Sequence, residues 1–512
     1  MLRVTGRVAA ITLLYMIAAA HVGSPDVWYE GNAGPYKVTV NIQLPGVVPG
    51  VAQIFVRVAG EKPERITVVG NKFDATGGAP PPETAVAVDG DPGLYAARLW
   101  LMSGGSNSVT VGLTGAKGVG TAVVPVVNVP LRRLALDRRM GIGLSAVAVF
   151  LFVGLVTIVG AAVRESTLSP GDAPPSSNRS RARVAMLGSS LVIALLLFGG
   201  WRWWGSEDSR FNQRLFKPLS SRAEIVAAPS SHVIFTITDS PWVHRGDSVW
   251  LRKHGGNSWT PLIPDHGKLM HLFLIRDDMG AFAHFHPTTT DTVAFPSTLP
   301  AMPAGHYRVF ADIVHESGYA QTMVTSVTLG SPTAAGTTPT LPSDPDDSWF
   351  AQPVQKGARS FTLSDGSVMS WSAVNSIVSG REASLRFDVR NKDGSPAALE
   401  PYMGMAGHAV VARDDGSVFV HLHPSGTISM ASQMAFQMRR PGDSVGGKLA
   451  KRLTAAEHQV MAGGLAPTSS VAFPYAFPKP GNYRMWVQVR KDGRILTGAF
   501  DVPVASGVKS AD

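Results

Sequence analysis

Apolar residues fall at every second position from Tyr36 to Leu44, at 36, 38, 40, 42 and 44. A period of two predicts a half-buried strand. Val51–Val58, Glu64–Val69, Leu94–Met102, Ser108–Leu113 and Thr121–Val129 continue in the same manner, with Gly and Pro clusters between them. Short strands at this spacing predict an antiparallel β-sandwich of the immunoglobulin-like kind over 21–131. A second is predicted over 231–330, with strands at Val233–Ile237, Ser248–Lys253 and Gly305–His315. A third is predicted over 349–505, with strands at Ser360–Leu363, Ala383–Val389 and Gly481–Val489.

The pattern changes at Met140–Val163 and again at Val184–Trp201, two runs without a charged residue. At about 1.5 Å per residue such runs cross a bilayer core of ~30 Å, so both are predicted transmembrane helices. Arg138, Arg139 and Arg164 flank the first, and Arg202, Trp203 and Trp204 follow the second, as suits a membrane–water interface. The expected fold class is therefore mainly β, with three immunoglobulin-like sandwiches and two transmembrane helices.

Residues 1–20 read as a signal peptide or N-terminal anchor: Arg3 and Arg7, then apolar Val8–Ala20 ending in three alanines. An export signal places 21–131 outside the cell membrane, the loop 164–183 in the cytoplasm, and everything after Trp204 outside again. The reverse orientation is the alternative, since the arginines of 132–139 equal those of the loop in number. Residues 205–230 and 331–348 read as polar linkers. The expectation is a multi-pass membrane protein of the cell envelope with extracytoplasmic globular domains.

The candidate chemistry lies in a repeat. Met270-His-Leu-Phe-Leu-Ile-Arg-Asp-Asp-Met-Gly-Ala-Phe-Ala-His-Phe-His-Pro287 recurs without a gap as Gly407–Pro424, at an offset of 137 (408 − 271). Each stretch predicts a β-hairpin around a turn of Asp, Gly and Ser. With 277–280 as the loop, cross-strand partners sum to 557, so His271 opposes His286, and His284 shares their face. By the same count His408, His421 and His423 share a face. Opposed Cβ atoms lie ~5 Å apart, close enough for three imidazoles to hold one metal ion. That face is expected to be turned outward, as two separate sites. The alternative is that the histidines are structural, bonded to main-chain carbonyls, and Phe273 and Phe282 on the same face favour it.

Further ligands are in reach. On Gly305–His315, Asp312 and His315 lie on opposite faces, and either is a candidate fourth ligand; His266, in Pro264-Asp-His-Gly, is another. Met403 and Met405 precede His408, and thioether beside imidazole suits copper ion more than zinc. The packing role common for methionine is the alternative. Gly481–Val489 repeats Gly305–Ile313 at an offset of 176 (481 − 305), which puts an insertion near Met430–Ser470; its Met430, Met434, Met438, His458 and Met461 suggest a lid.

Composition narrows the choice. The chain has no cysteine, so disulfides, thiolate nucleophiles and cysteine metal sites are excluded. The net charge of +9 gathers beside the apolar runs rather than in a basic nucleic-acid motif, so no nucleic-acid partner is expected. No nucleophile elbow, His-Glu-x-x-His, phosphate loop or dinucleotide fingerprint is present, and enzyme activity is not expected. Asp277-Asp278 and Asp414-Asp415 read as turn residues.

Trp28–Tyr36 resembles the start of FixH-like and YtkA-like bacterial envelope domains. The run His271–Leu274, the His-x-His-Pro at 284–287 and the Gly-x-Tyr-Arg-Val at 305–309 resemble YtkA-like and related copper-associated domains. Cleavage after Ala20 would expose His21, which resembles the start of CopC-type copper-resistance sandwiches. The resemblance implies immunoglobulin-like domains and copper. The resulting expectation is a membrane-anchored envelope protein binding copper or a similar metal ion through His271, His284, His286, His315, His408, His421, His423, Met403 and Met405, for resistance, delivery or sensing. The alternative is a non-enzymatic envelope scaffold that binds other envelope proteins.

Overall fold

The computed structural model describes residues 26–73, 80–169, 171–213, 215–226, 231–254, 259–330, 343–372, 376–440, 443, 447–462 and 466–507. The signal 1–20 and His21 lie outside the described residues. The described chain is mostly β, with several antiparallel sheets and two long apolar helices. Contacts divide it into two units, Val129–Phe216 and the remainder.

The small unit is a helical hairpin. Asp137 starts helix Arg138–Glu165 by accepting from the backbone N–H groups of Arg139 and Met140 at 2.9 and 3.1 Å. The second helix, Ser176–Gln213, begins inside the expected loop and runs past Trp204. The helices are antiparallel. Asn178 donates to the Arg164 carbonyl at one end, and Phe216 N–H donates to the Pro130 carbonyl at the other. Gly160 leaves room for Met186 between them. Their large apolar side chains are exposed, Leu151 and Leu187 among them. Both helices are long and apolar enough to cross a membrane.

In the large unit, the alternation seen at Tyr36–Leu44 becomes strand Tyr36–Gln43, whose Val38, Val40 and Ile42 are buried. Its five-stranded sheet shares one core with a four-stranded sheet built from Glu83–Thr84, Arg65–Lys72, Gly105–Gly115 and Gly118–Asn128. The next region pairs a three-stranded sheet, Ser221–Val226, His232–Ile237 and Ala294–Thr298, with the sheet that carries the first hairpin. Strand Ser221–Val226 falls within the expected linker 205–230. The last region pairs a four-stranded sheet with the one carrying the second hairpin.

Both hairpins keep the expected register. Leu272 opposes Phe285 and Phe273 opposes His284; Ala409 opposes Leu422 and Val410 opposes His421. Asp278 and Asp415 close the turns by accepting from the N–H groups of Gly280 and Ser417 at 2.8 Å. Behind each hairpin runs its third strand, Gly305–His315 or Gly481–Lys491, with His271 opposite Asp312 and His408 opposite Gln488.

Three expectations are corrected. The histidine face does not point outward. Phe273, Ile275, Phe282 and Phe310 of the first repeat pack against Val410, Ala412, Phe419 and Trp486 of the second. Each hairpin sheet thus buries both faces, which is why His271–Ile275 are all buried rather than alternating. Ser248–Lys253 is not a strand but part of helix Ser248–His254. Asp247 caps it at Val249 and Trp250, and Trp250 stacks on His244 and His254. The insertion forms helices Met430–Met438 and Lys448–Ala462, and Met434 and Met438 pack in an apolar cluster with Phe73 and Leu449. The side chains of His458 and Met461 lie outside the described residues.

Candidate metal centre

Because the two hairpins meet face to face, their histidines form one buried cluster instead of two surface sites. Ring centroids of His271 and His421 lie 5.1 Å apart, and those of His284 and His421 5.4 Å. His266 joins the cluster, 5.2 Å from His408 and 4.9 Å from His423. All seven imidazoles are buried. Among the described residues, nitrogens of His271, His284 and His286 lie within 4.8 Å of one another, as do those of His266, His408 and His423. Three nitrogens on one tetrahedral ion at ~2.0–2.1 Å sit about 3.4 Å apart, so small ring rotations complete either set.

The hydrogen bonds decide where the lone pairs point. Gln488 Oε1, 2.9 Å from His284 Nδ1, can only accept, so Nδ1 carries the proton and Nε2 the lone pair. His271 Nε2 faces the Asp265 carbonyl at 3.2 Å and donates to it, which leaves a lone pair on Nδ1. Those two lone-pair nitrogens face each other at 3.1 Å. Three contacts need a proton and two neutral rings supply two. The third ring follows the same rule: His286 Nδ1 lies 3.1 Å from Asp347 Oδ1, and its Nε2 has no partner among the described residues. In each ring one nitrogen is held by an oxygen and the other is left for a cation, the arrangement of ligating histidines and their supporting acceptors.

The second set is less fully tied. Among the described residues, His423 Nδ1 donates to the Ile428 carbonyl at 3.0 Å and its Nε2 has no partner. Neither nitrogen of His408 has a partner among them. His421 Nδ1 lies 3.6 Å from Asp312 Oδ2, and its Nε2 has no partner among them. His266 Nε2 lies 3.9 Å from Asp265 Oδ1. Such buried unsatisfied nitrogens are costly unless a ligand takes them up.

Charge favours neutral, ligating imidazole. Burial, then neighbouring imidazoles, holds His271, His408 and His421 well below the usual histidine range. Burial likewise depresses His284, aided by His286. Burial pushes His266 and His423 down to about 4. It raises Asp312 to about 7 and Glu457 to about 8, and it also raises Asp265. Metal binding needs deprotonated imidazole, the form that burial favours at His266, His271, His284, His408, His421 and His423.

The structure does not bring every expected ligand here. His315 faces the other side of its strand, stacked on Trp259 at 5.0 Å, with Nδ1 on the Thr260 carbonyl and Nε2 on Gln321. It is three residues from Asp312, so strand alternation separates them. Met403 is buried in a turn before His408, while Met405 is half-buried. Met405 takes the place of Lys268, whose ammonium leaves the cluster to pair with Asp344 and Asp346. Sequence reasoning did not find Asp347, Asp344 or Gln488. His286, Asp344 and Asp347 form a further group within 4.8 Å. Asp344 and Asp347 lie in the expected linker 331–348, with no motif to mark them. Gln488 is the offset-176 counterpart of Asp312 (312 + 176 = 488), so the repeat did contain its signal.

A family model described as "Domain of unknown function (DUF8832)" matches residues 232–330 and 362–506, fewer than half of the chain. The match takes in both hairpins and leaves out the first β region and the two long apolar helices. No curated protein matches. Among solved structures, a putative membrane anchored protein from Corynebacterium diphtheriae is 9% identical, with 95% of this chain and 97% of that one covered and a TM-score of 0.14. Latent PorU from Porphyromonas gingivalis is 8% identical, covering 94% of this chain and 34% of its own, also at 0.14. An engineered protein is 23% identical over 17% of this chain and 19% of its own, again at 0.14. This chain spans less than two thirds of the length of the last two.

Proposed function

We propose that this chain is a membrane-anchored envelope protein that binds copper or a similar metal ion in the histidine cluster between its two hairpins. One observation carries the reading. His271 Nδ1 and His284 Nε2 face each other at 3.1 Å while their other nitrogens face oxygens, so a cation or an additional proton is required between them. Burial opposes the proton. Imidazole-rich donors without cysteine suit copper in either oxidation state, with zinc second. We further propose that the two apolar helices cross the membrane. Their antiparallel pairing would return the chain to the side it left, which supports placing all sheets on one side of the membrane; that this side is the outside rests on the export signal read from the sequence. Binding without catalysis, in resistance, delivery or sensing, is the role this reading implies.

The full chain, purified in detergent and stripped with chelator, should retain copper through gel filtration and melt higher with it. Replacing His271, His284, His286, His408, His421 and His423 together by Ala should abolish both effects. Wild-type protein that keeps no ion and shows no metal-dependent melting shift would leave the scaffold reading, with structural histidines.

A further inference from the structure

The repeats share a turn as well as a hairpin. Asp265 and Lys268 exchange backbone hydrogen bonds at 2.9 and 3.0 Å, and Tyr402 and Met405 do so at 2.7 and 3.1 Å. The central residues are left-handed in both turns: His266 at φ 54° and Gly267 at 77°, Met403 at φ 50° and Gly404 at 76°. Glycine is natural there, histidine enters that region more readily than most side chains and methionine rarely does, and such strain persists where the surroundings hold it. His266 does not join the triad of its own repeat. Its ring lies 5.2 Å from His408 and 4.9 Å from His423, against 6.2 Å from His271.

Other pairs make the same exchange. Gln488 of the second repeat meets His284 of the first, and Asp312 of the first meets His421 of the second. Arg308 donates to the Asp414 carbonyl at 2.9 Å, and its counterpart Arg484 donates to the Met279 carbonyl at 2.6 Å. Met403 holds in the second repeat the turn position that His266 holds in the first, so the same exchange would carry it to the first triad.

We propose that the cluster holds two metal ions, each completed by the turn residue of the opposite repeat: His266 for the site of His408 and His423, and Met403 for the site of His271, His284 and His286. This rests on the metal-binding reading above. His421, 4.5 Å from His423 between ring centroids, supplies the remaining nitrogen of the second site. The two sites differ in softness. The thioether makes the first selective for Cu(I), whereas the all-imidazole site accepts Cu(I), Cu(II) or Zn(II). Each ion ties one repeat to the other.

The test loads the stripped full chain anaerobically with Cu(I) against a competing chelator. Two Cu(I) per chain are expected, with a sulfur scatterer in the X-ray absorption spectrum. Met403→Leu, which keeps the buried bulk, should remove the sulfur and weaken one site at least ~10-fold while sparing the other. His266→Asn, which tolerates the left-handed turn, should keep the sulfur and weaken the other site. A single Cu(I) per chain overturns the two-ion proposal and leaves the metal-binding reading standing. Two Cu(I) without sulfur overturn the assignment of Met403. No bound ion with any metal removes the metal-binding reading, and this proposal with it.

Discussion

His271 Nδ1 lies 3.1 Å from His284 Nε2, and neither ring has a proton to spare for the gap. The acceptor that fixes His284 is Gln488, from the other repeat. Gln488→Leu should therefore weaken metal binding by ~10–100-fold. It should also destabilise the metal-free protein by ~1–3 kcal/mol, because a buried N–H loses its partner. A competition titration and a urea unfolding curve check the two effects. Unchanged affinity would show that the acceptor does not orient the ring.

Metal-free stability should fall as pH drops from about 6.5 to about 4. In the unfolded chain these histidines take up protons near 6.5, while His266 and His423 resist until about 4 in the folded one. The unfolded state then binds more protons, so acid favours it. For His423 alone the effect is roughly 3 kcal/mol across that window. Asp312 and Glu457 act with opposite sign: their raised values make them a liability as pH rises through about 7 and 8. The depressed imidazoles outnumber them, so the acid side should dominate. Denaturant midpoints measured with chelator from pH 8 to 4 check this, and a flat profile would refute it.

His315→Ala should lower stability by ~2–4 kcal/mol, since it opens a cavity between Trp242 and Trp259 and strands Gln321. Metal stoichiometry should not change. Loss of an ion in this variant would contradict the separation of His315 from the cluster.

Leu151→Arg places a charge in the middle of Arg138–Glu165, at a cost of ~2.5–3.5 kcal/mol for insertion. The variant should shift from the carbonate-resistant membrane fraction to the extractable one. Equal retention would argue that this helix does not cross.

Much of this protein was legible in its sequence because the signals were local. Alternation at Tyr36–Leu44 gave strands, uncharged runs gave long helices, and Asp, Gly and Ser between apolar runs gave two hairpins in the correct register. Ser248–Lys253 misled because a capping Asp247 and aromatic stacking outweighed strand propensity. Placing His271, His284 and His286 on one face needed only the period of a strand. What that face meets is a different question. A strand carries no mark of the surface that will cover it, and a hairpin buried on both sides still reads as apolar residues with histidines among them. Only packing of one repeat on the other merged the two sets of imidazoles, set Gln488 on His284, brought His266 to His408 and His423, and removed water from all seven rings. Those contacts join residues far apart in the chain, and their energy comes from desolvation, which no residue possesses until its neighbours are in place.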